Sequence, residues 1–93
     1  MNKRELKIKL DELGIRPSDY SLDGVLKPMS TILLFSDSRW WTFDYDERGR
    51  AQDKMSFDTE DEACQHILSR LIRLQEFREK YNLIRKKHNL GPI

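Results

Sequence analysis

The sequence predicts an α+β fold: a three-stranded antiparallel meander flanked by an N-terminal helix and a long C-terminal helix, in the order α-β-β-β-α. Three observations carry this expectation. Apolar residues recur at helical spacing near both ends of the chain, the middle switches to short β-branched and aromatic runs, and turn-forming residues stand where the period changes. With 93 residues, the chain is expected to form a single domain over 1–93, with 75–93 as a helical extension beyond the core.

Between Asn2 and Leu13, the residues Leu6, Leu10 and Leu13 fit one helical face. Asn2 suits the N-cap with Glu5 three residues on, and Gly14 suits the stop. Leu6 to Leu10 also alternates as a strand would, but strong helix formers on both sides favour the helix. Residues 15–24 hold Pro17, Ser18, Asp19, Ser21, Asp23 and Gly24, so they read as a connection, pinned to the core by Tyr20 and Leu22.

Thr31 to Phe35 and Trp40 to Tyr45 then suit a pleated surface. Ser36, Asp37 and Ser38 join them as a hairpin, and Asp46 to Gly49 make the next turn, with Gly49 free to adopt positive φ. Arg50 to Phe57 is the most polar of the three strands and is expected at a sheet edge, where charge discourages open-ended pairing. Thr59 and Glu62 match a capping box, and Ala63, Ile67, Leu71 and Leu74 repeat at helical spacing, continued by Phe77, Tyr81 and Ile84. A helix from Thr59 to His88 would run roughly 45 Å, far beyond the radius of gyration of roughly 12 Å expected for a compact chain of this size. It is therefore expected either to bend near Gln75 or to project.

Seventeen Lys and Arg oppose sixteen Asp and Glu, a formal net charge of +1, which argues against nucleic-acid binding through bulk positive charge. The charge is unevenly placed: residues 39–62 carry four basic and eight acidic side chains, and residues 63–93 carry seven basic and two acidic. Such separation can steer a charged partner. One cysteine, Cys64, rules out an internal disulfide, a CxxC redox motif and a zinc ribbon. The charged start and the lack of any long apolar run predict a cytoplasmic protein with no secretory signal and no membrane span.

No catalytic constellation is evident, so the chain is not expected to be an enzyme, nor to need a metal or cofactor. Cys64 and His66 are two positions apart on a helix, about 200° around its axis, which separates nucleophile from base. Asp44, Asp46 and Glu47 stand at a strand end beside a turn, where carboxylates usually face water. Trp40 and Trp41 must point to opposite sheet faces, one ring toward the core and one toward solvent. An exposed Trp near Asp44, Asp46, Glu47 and Arg48 would suit a protein-binding hot spot. The basic helix offers a different surface: Arg70, Arg73, Arg78, Arg85, Lys86 and Lys87 could meet nucleic acid, and the Phe77, Tyr81 and Ile84 stripe could pair two copies of the chain.

Gly14-Ile15-Arg16-Pro17-Ser18-Asp19-Tyr20-Ser21-Leu22-Asp23-Gly24, then Tyr45-Asp46-Glu47-Arg48-Gly49, then Phe57-Asp58-Thr59-Glu60-Asp61-Glu62-Ala63-Cys64, resembles small bacterial immunity proteins. These are typically encoded beside polymorphic or contact-dependent growth-inhibition toxins, some associated with NAD degradation. The resemblance spans roughly residues 5–74 and leaves out the tail after Leu74. It implies an inhibitor that binds one cognate toxin domain, NAD-degrading or nuclease, by steric occlusion. On chemical grounds Trp40, Trp41, Asp44, Asp46, Glu47 and Arg48 are the expected contacts.

Overall fold

The first helix, α1 (Lys3–Glu12), is closed at both ends by its own sequence. Asn2 Oδ1 accepts the Glu5 amide at 2.9 Å, while Glu5 Oε1 accepts the Asn2 amide, the reciprocal box that satisfies two otherwise orphaned donors. At the other end Gly14, at φ 71°, turns the chain. The Gly14 amide then donates to Asp11 and the Ile15 amide to Leu10, a Schellman closure whose apolar partners Ile15 and Leu10 are both buried in the core. The computed structural model describes residues 1–87, with side chains described to residue 82.

A single 3₁₀ turn over Pro17–Asp19 leads into β1 (Tyr20–Ser21), followed by β2 (Ser30–Ser36), β3 (Arg39–Tyr45), β4 (Ala51–Phe57) and α2 (Glu60–Lys87). The sheet is four-stranded and mixed, in the order β1-β2-β3-β4. This corrects the expected three-stranded antiparallel meander: Tyr20 and Ser21 pair in parallel with Thr31 and Ile32. Two residues are too few to show a period. The strand forms because Tyr20 is buried in the core, which lays its backbone against β2. The three longer strands form the expected antiparallel meander, with β4 at the edge.

Asp37 and Ser38 form a two-residue hairpin turn, both at positive φ (52° and 61°), between the paired Ser36 and Arg39. This backbone matches the twist of the strands it joins, at the cost of placing two side-chain-bearing residues in the left-handed region. At the next turn Asp46 Oδ1 accepts the amides of Arg48 and Arg50 (2.9 and 2.8 Å), and Gly49 sits at φ 79°. A bulge interrupts β4, where the register shifts between Thr42 and Asp44 and Asp53 adopts φ 54°.

Side-chain alternation assigns two faces to the sheet. Leu33 of β2, with Trp40 of β3 and Phe57 of β4, packs against the helices around a core of Leu6, Leu10, Ile15, Tyr20, Ala63, Cys64, Ile67 and Leu71. The opposite face carries Ile32 and Phe43, both buried. The 22–29 loop approaches that face so closely at Gly24 that a Cβ there would lie 2.8 Å from Leu34 Cδ1.

Thr59 stands before α2 and receives the Glu62 amide on its hydroxyl oxygen, while that hydroxyl donates to the Glu62 carboxylate. The helix is continuous from Glu60 to Lys87, with no break near Gln75. Its last described ties to the body are Gln75 Nε2 to the Leu13 carbonyl at 2.8 Å and Arg78 Nη1 to Asp19 Oδ2 at 2.9 Å. His88 and the final residues lie outside the described residues.

Candidate functional site

The acidic end of β3 opens into a cleft of about 650 Å³, lined by Asp19, Met29, Ser30, Thr31, Asp44, Tyr45, Asp46, Glu47, Arg70 and Leu74. Four carboxylates face a single guanidinium. Each is held differently, and the differences decide which are already spent within the fold.

Asp44 lies on the sheet face that meets α2. It accepts the Thr31 hydroxyl at 2.9 Å and a two-pronged grip from Arg70 through Nε and Nη2. The same guanidinium reaches Asp53 Oδ2 at 3.0 Å, because the β4 bulge brings Asp53 within reach of α2. Hydrogen bonding to Asp44, and then to Asp53, raises the Arg70 pKa above its already high value. Thus Asp44 is not the solvent-facing carboxylate that its place near a strand end suggests, and Arg70 is not a free cation for nucleic acid. Asp19 is likewise buried and paired, with Arg78 at 2.9 Å and Arg16 at 3.3 Å.

Asp46 works within its own turn. Besides the two amides on Oδ1, its Oδ2 accepts Gln52 Nε2 at 3.0 Å, and these bonds, led by the Arg50 amide, lower its pKa. Glu47 is exposed at the cleft rim and makes no ion pair among the described residues. The excess negative charge therefore rests on Asp46 and Glu47. Apolar walls come from Tyr45, Leu74 and Met29, whose side chain is 70% exposed.

The expected contact set does not converge. Trp40 and Trp41 occupy the other end of β3, five residues and roughly 16 Å from Tyr45 and Asp46. Trp40 packs against the core and Phe35, with ring centroids 4.8 Å apart. Trp41 donates Nε1–H to the Ser36 carbonyl at 3.0 Å, with Lys54 Nζ 4.7 Å from its ring. Both rings are half-buried and already engaged. Arg48 is exposed on the turn and does not line the cleft.

Sequence reasoning missed Asp19, Met29, Tyr45, Arg70 and Leu74 as parts of this cleft. Arg70 did leave a signal: it falls seven positions after Ala63 and three after Ile67, within the helical stripe, which turns it toward the sheet. Asp19 and Met29 come from connections and left none.

On the basic helix, Arg70 and Arg78 are spent on Asp44, Asp53 and Asp19, and Arg73 is exposed. The side chains of Ile84, Arg85, Lys86 and Lys87 lie outside the described residues. Phe77 and Tyr81 are exposed, with near-parallel rings 6.4 Å apart.

Cys64 is fully buried, and burial pushes its thiol up to about 11, which keeps it protonated and unreactive. The His66 ring leans on Phe57 at 5.2 Å, away from any pairing with that thiol. Among the described residues, no cluster of His, Cys, Asp and Glu is arranged to hold a metal ion, and no helix is long and apolar enough to cross a membrane.

Comparison with known proteins found no matching family model, no matching curated relative and no matching solved structure. The likeness to immunity proteins therefore rests on the residues quoted for it.

Proposed function

We propose that this chain is a binding protein of the immunity class, which neutralises a cognate toxin domain by covering its active or target-binding surface. The observation that carries the reading is the cleft at the end of β3, where acidic groups and apolar walls meet. Met29, Tyr45 and Leu74 offer area for desolvation, and Asp46 and Glu47 supply charge at the rim. Interfaces of this composition favour an apolar or arginine anchor surrounded by polar matching. The partner surface is therefore basic, and Arg70 fits the reading by holding Asp44 rigid before the partner arrives.

A nucleic-acid-binding regulator is the weaker alternative, because two of its six cations are consumed in ion pairs within the fold. The deciding experiment is co-expression of the tagged chain with the products of its neighbouring genes, followed by affinity capture and mass spectrometry after nuclease treatment. Recovery of a single toxin domain, with association slowed at least about tenfold by Glu47→Lys and affinity reduced by Met29→Ala, is the expected result. Nuclease-sensitive recovery of nucleic acid would replace this reading with the alternative.

A further inference from the structure

A second groove, of about 380 Å³, lies on the other side of the 3₁₀ turn and β1, and its charge is opposite. Lys3, Arg4 and Lys7 of α1 line one wall; Pro17, Tyr20, Ser21, Leu22, Asp23 and Lys27 line the rest. Four cations from two separate segments thus converge where one carboxylate stands. That carboxylate, Asp23, accepts the Ser21 hydroxyl at 3.3 Å.

Two of the four cations are held in place by the fold. The Lys27 ammonium is fixed by two backbone carbonyls, Pro17 O at 3.3 Å and Tyr20 O at 3.2 Å, which position the charge without cancelling it. Lys7 Nζ donates to Tyr20 Oη at 2.9 Å and to Asp11 Oδ1 at 2.8 Å, so the Tyr20 hydroxyl keeps its own proton to donate. Among the described residues, Lys3, Arg4 and Lys27 form no ion pair with any carboxylate. Like charges gathered on a shared wall repel one another, and a bound anion relieves that repulsion while gaining charge-assisted hydrogen bonds.

We propose that this groove is a binding site for a small phosphorylated molecule carrying two or more negative charges. The phosphoryl oxygens would meet Arg4, Lys27 and the Tyr20 hydroxyl, and an uncharged moiety would lie against Pro17 and Leu22. The volume suits a small molecule, and the clustered cations call for more than one negative charge. The proposal is independent of the acidic cleft and stands or falls apart from it.

The test is a titration of the isotopically labelled protein with pyrophosphate, followed by amide chemical shifts, against sodium chloride at matched ionic strength. Saturable shifts confined to residues 3–7 and 17–27, weakened about tenfold or more by Arg4→Glu, are the expected result. Because any replacement of Lys27 would remove its bonds to the Pro17 and Tyr20 carbonyls and could loosen the 3₁₀ turn, Arg4→Glu on the exposed helix face is the primary variant, and Lys3→Glu is the second. Shifts reproduced by chloride, spread over lysines throughout the chain, or unchanged in Arg4→Glu overturn the proposal.

Discussion

The guanidinium of Arg70 grips both carboxylate oxygens of Asp44, 26 residues earlier in the chain and on a different layer of the fold. Planar fork meets planar fork, an arrangement that fixes direction as well as distance. The link joins α2 to β3, and through Asp53 to β4, so one helical side chain ties the helix to two strands.

The pair should behave as a unit. Arg70→Met is expected to cost about 1–3 kcal/mol, since it strips Asp44 of its main partner while leaving the carboxylate half-buried. Both side chains keep partial contact with water, which moderates the figure. A double-mutant cycle with Asp44→Asn, read by urea denaturation, should give a coupling of about 1–2 kcal/mol; strict additivity would show that the pair adds nothing.

The β2–β3 hairpin can be improved. Asp37 and Ser38 both occupy the left-handed region, where glycine at the second position is strongly favoured. Ser38→Gly should raise stability by about 0.5–1 kcal/mol in thermal or urea unfolding, despite the extra freedom that glycine gives the unfolded chain.

Stability should also depend on pH through His66. Burial lowers its pKa below 6.5, and the nearby Arg70 and Arg73 lower it further, against the weaker opposing pull of Asp44. Its Nε2 is buried with no hydrogen-bond partner among the described residues. The unfolded chain then takes up the proton more readily than the folded one, so stability rises with pH across the interval between the two pKa values. Full stability is present above the unfolded value near 6.5 and is lost as pH falls through it toward the folded value. Denaturation midpoints measured from pH 8 to 5 should decline through this range, and His66→Gln should flatten the slope.

Cys64 should resist thiol reagents in the native state. Its side chain is fully buried with a pKa of about 11, so labelling by a disulfide-exchange reagent should proceed only as fast as the protein opens. Rapid labelling at neutral pH in the absence of denaturant would contradict the packing described for α2.

The elements that could be read from the chain are those whose signals are local. The Asn2 and Thr59 caps, the Gly14 stop and the β2–β3 hairpin each depend on residues within a few positions of one another. The signals for β1, the Asp53 bulge and the cleft are not local. Tyr20 becomes a strand residue only because the core receives its ring and β2 lies beside it. Asp53 reads as an ordinary polar strand residue until Arg70 is found facing it. Asp44, Asp46 and Glu47 were legible as an acidic group, but Asp44 and Asp46 serve the fold's own bonds. The tryptophans at the far end of β3 belong to a different neighbourhood, because a strand carries its two ends apart.

The core has an ordering in time as well as in space. Ala63, Cys64, Ile67 and Leu71 meet Leu6 and Leu10, and the Gln75 and Arg78 ties reach back 62 and 59 residues to Leu13 and Asp19. A growing chain that has left the ribosome only as far as β4 lacks Ala63, Cys64, Ile67 and Leu71, so the inner face of its sheet and the apolar face of its first helix are left part-covered. Folding must wait for α2, which follows the other described elements in the chain, to close loops of about sixty residues. Either groove can therefore be complete only once α2 has been made, so translation cut short before Arg78 should yield no binding-competent fragments.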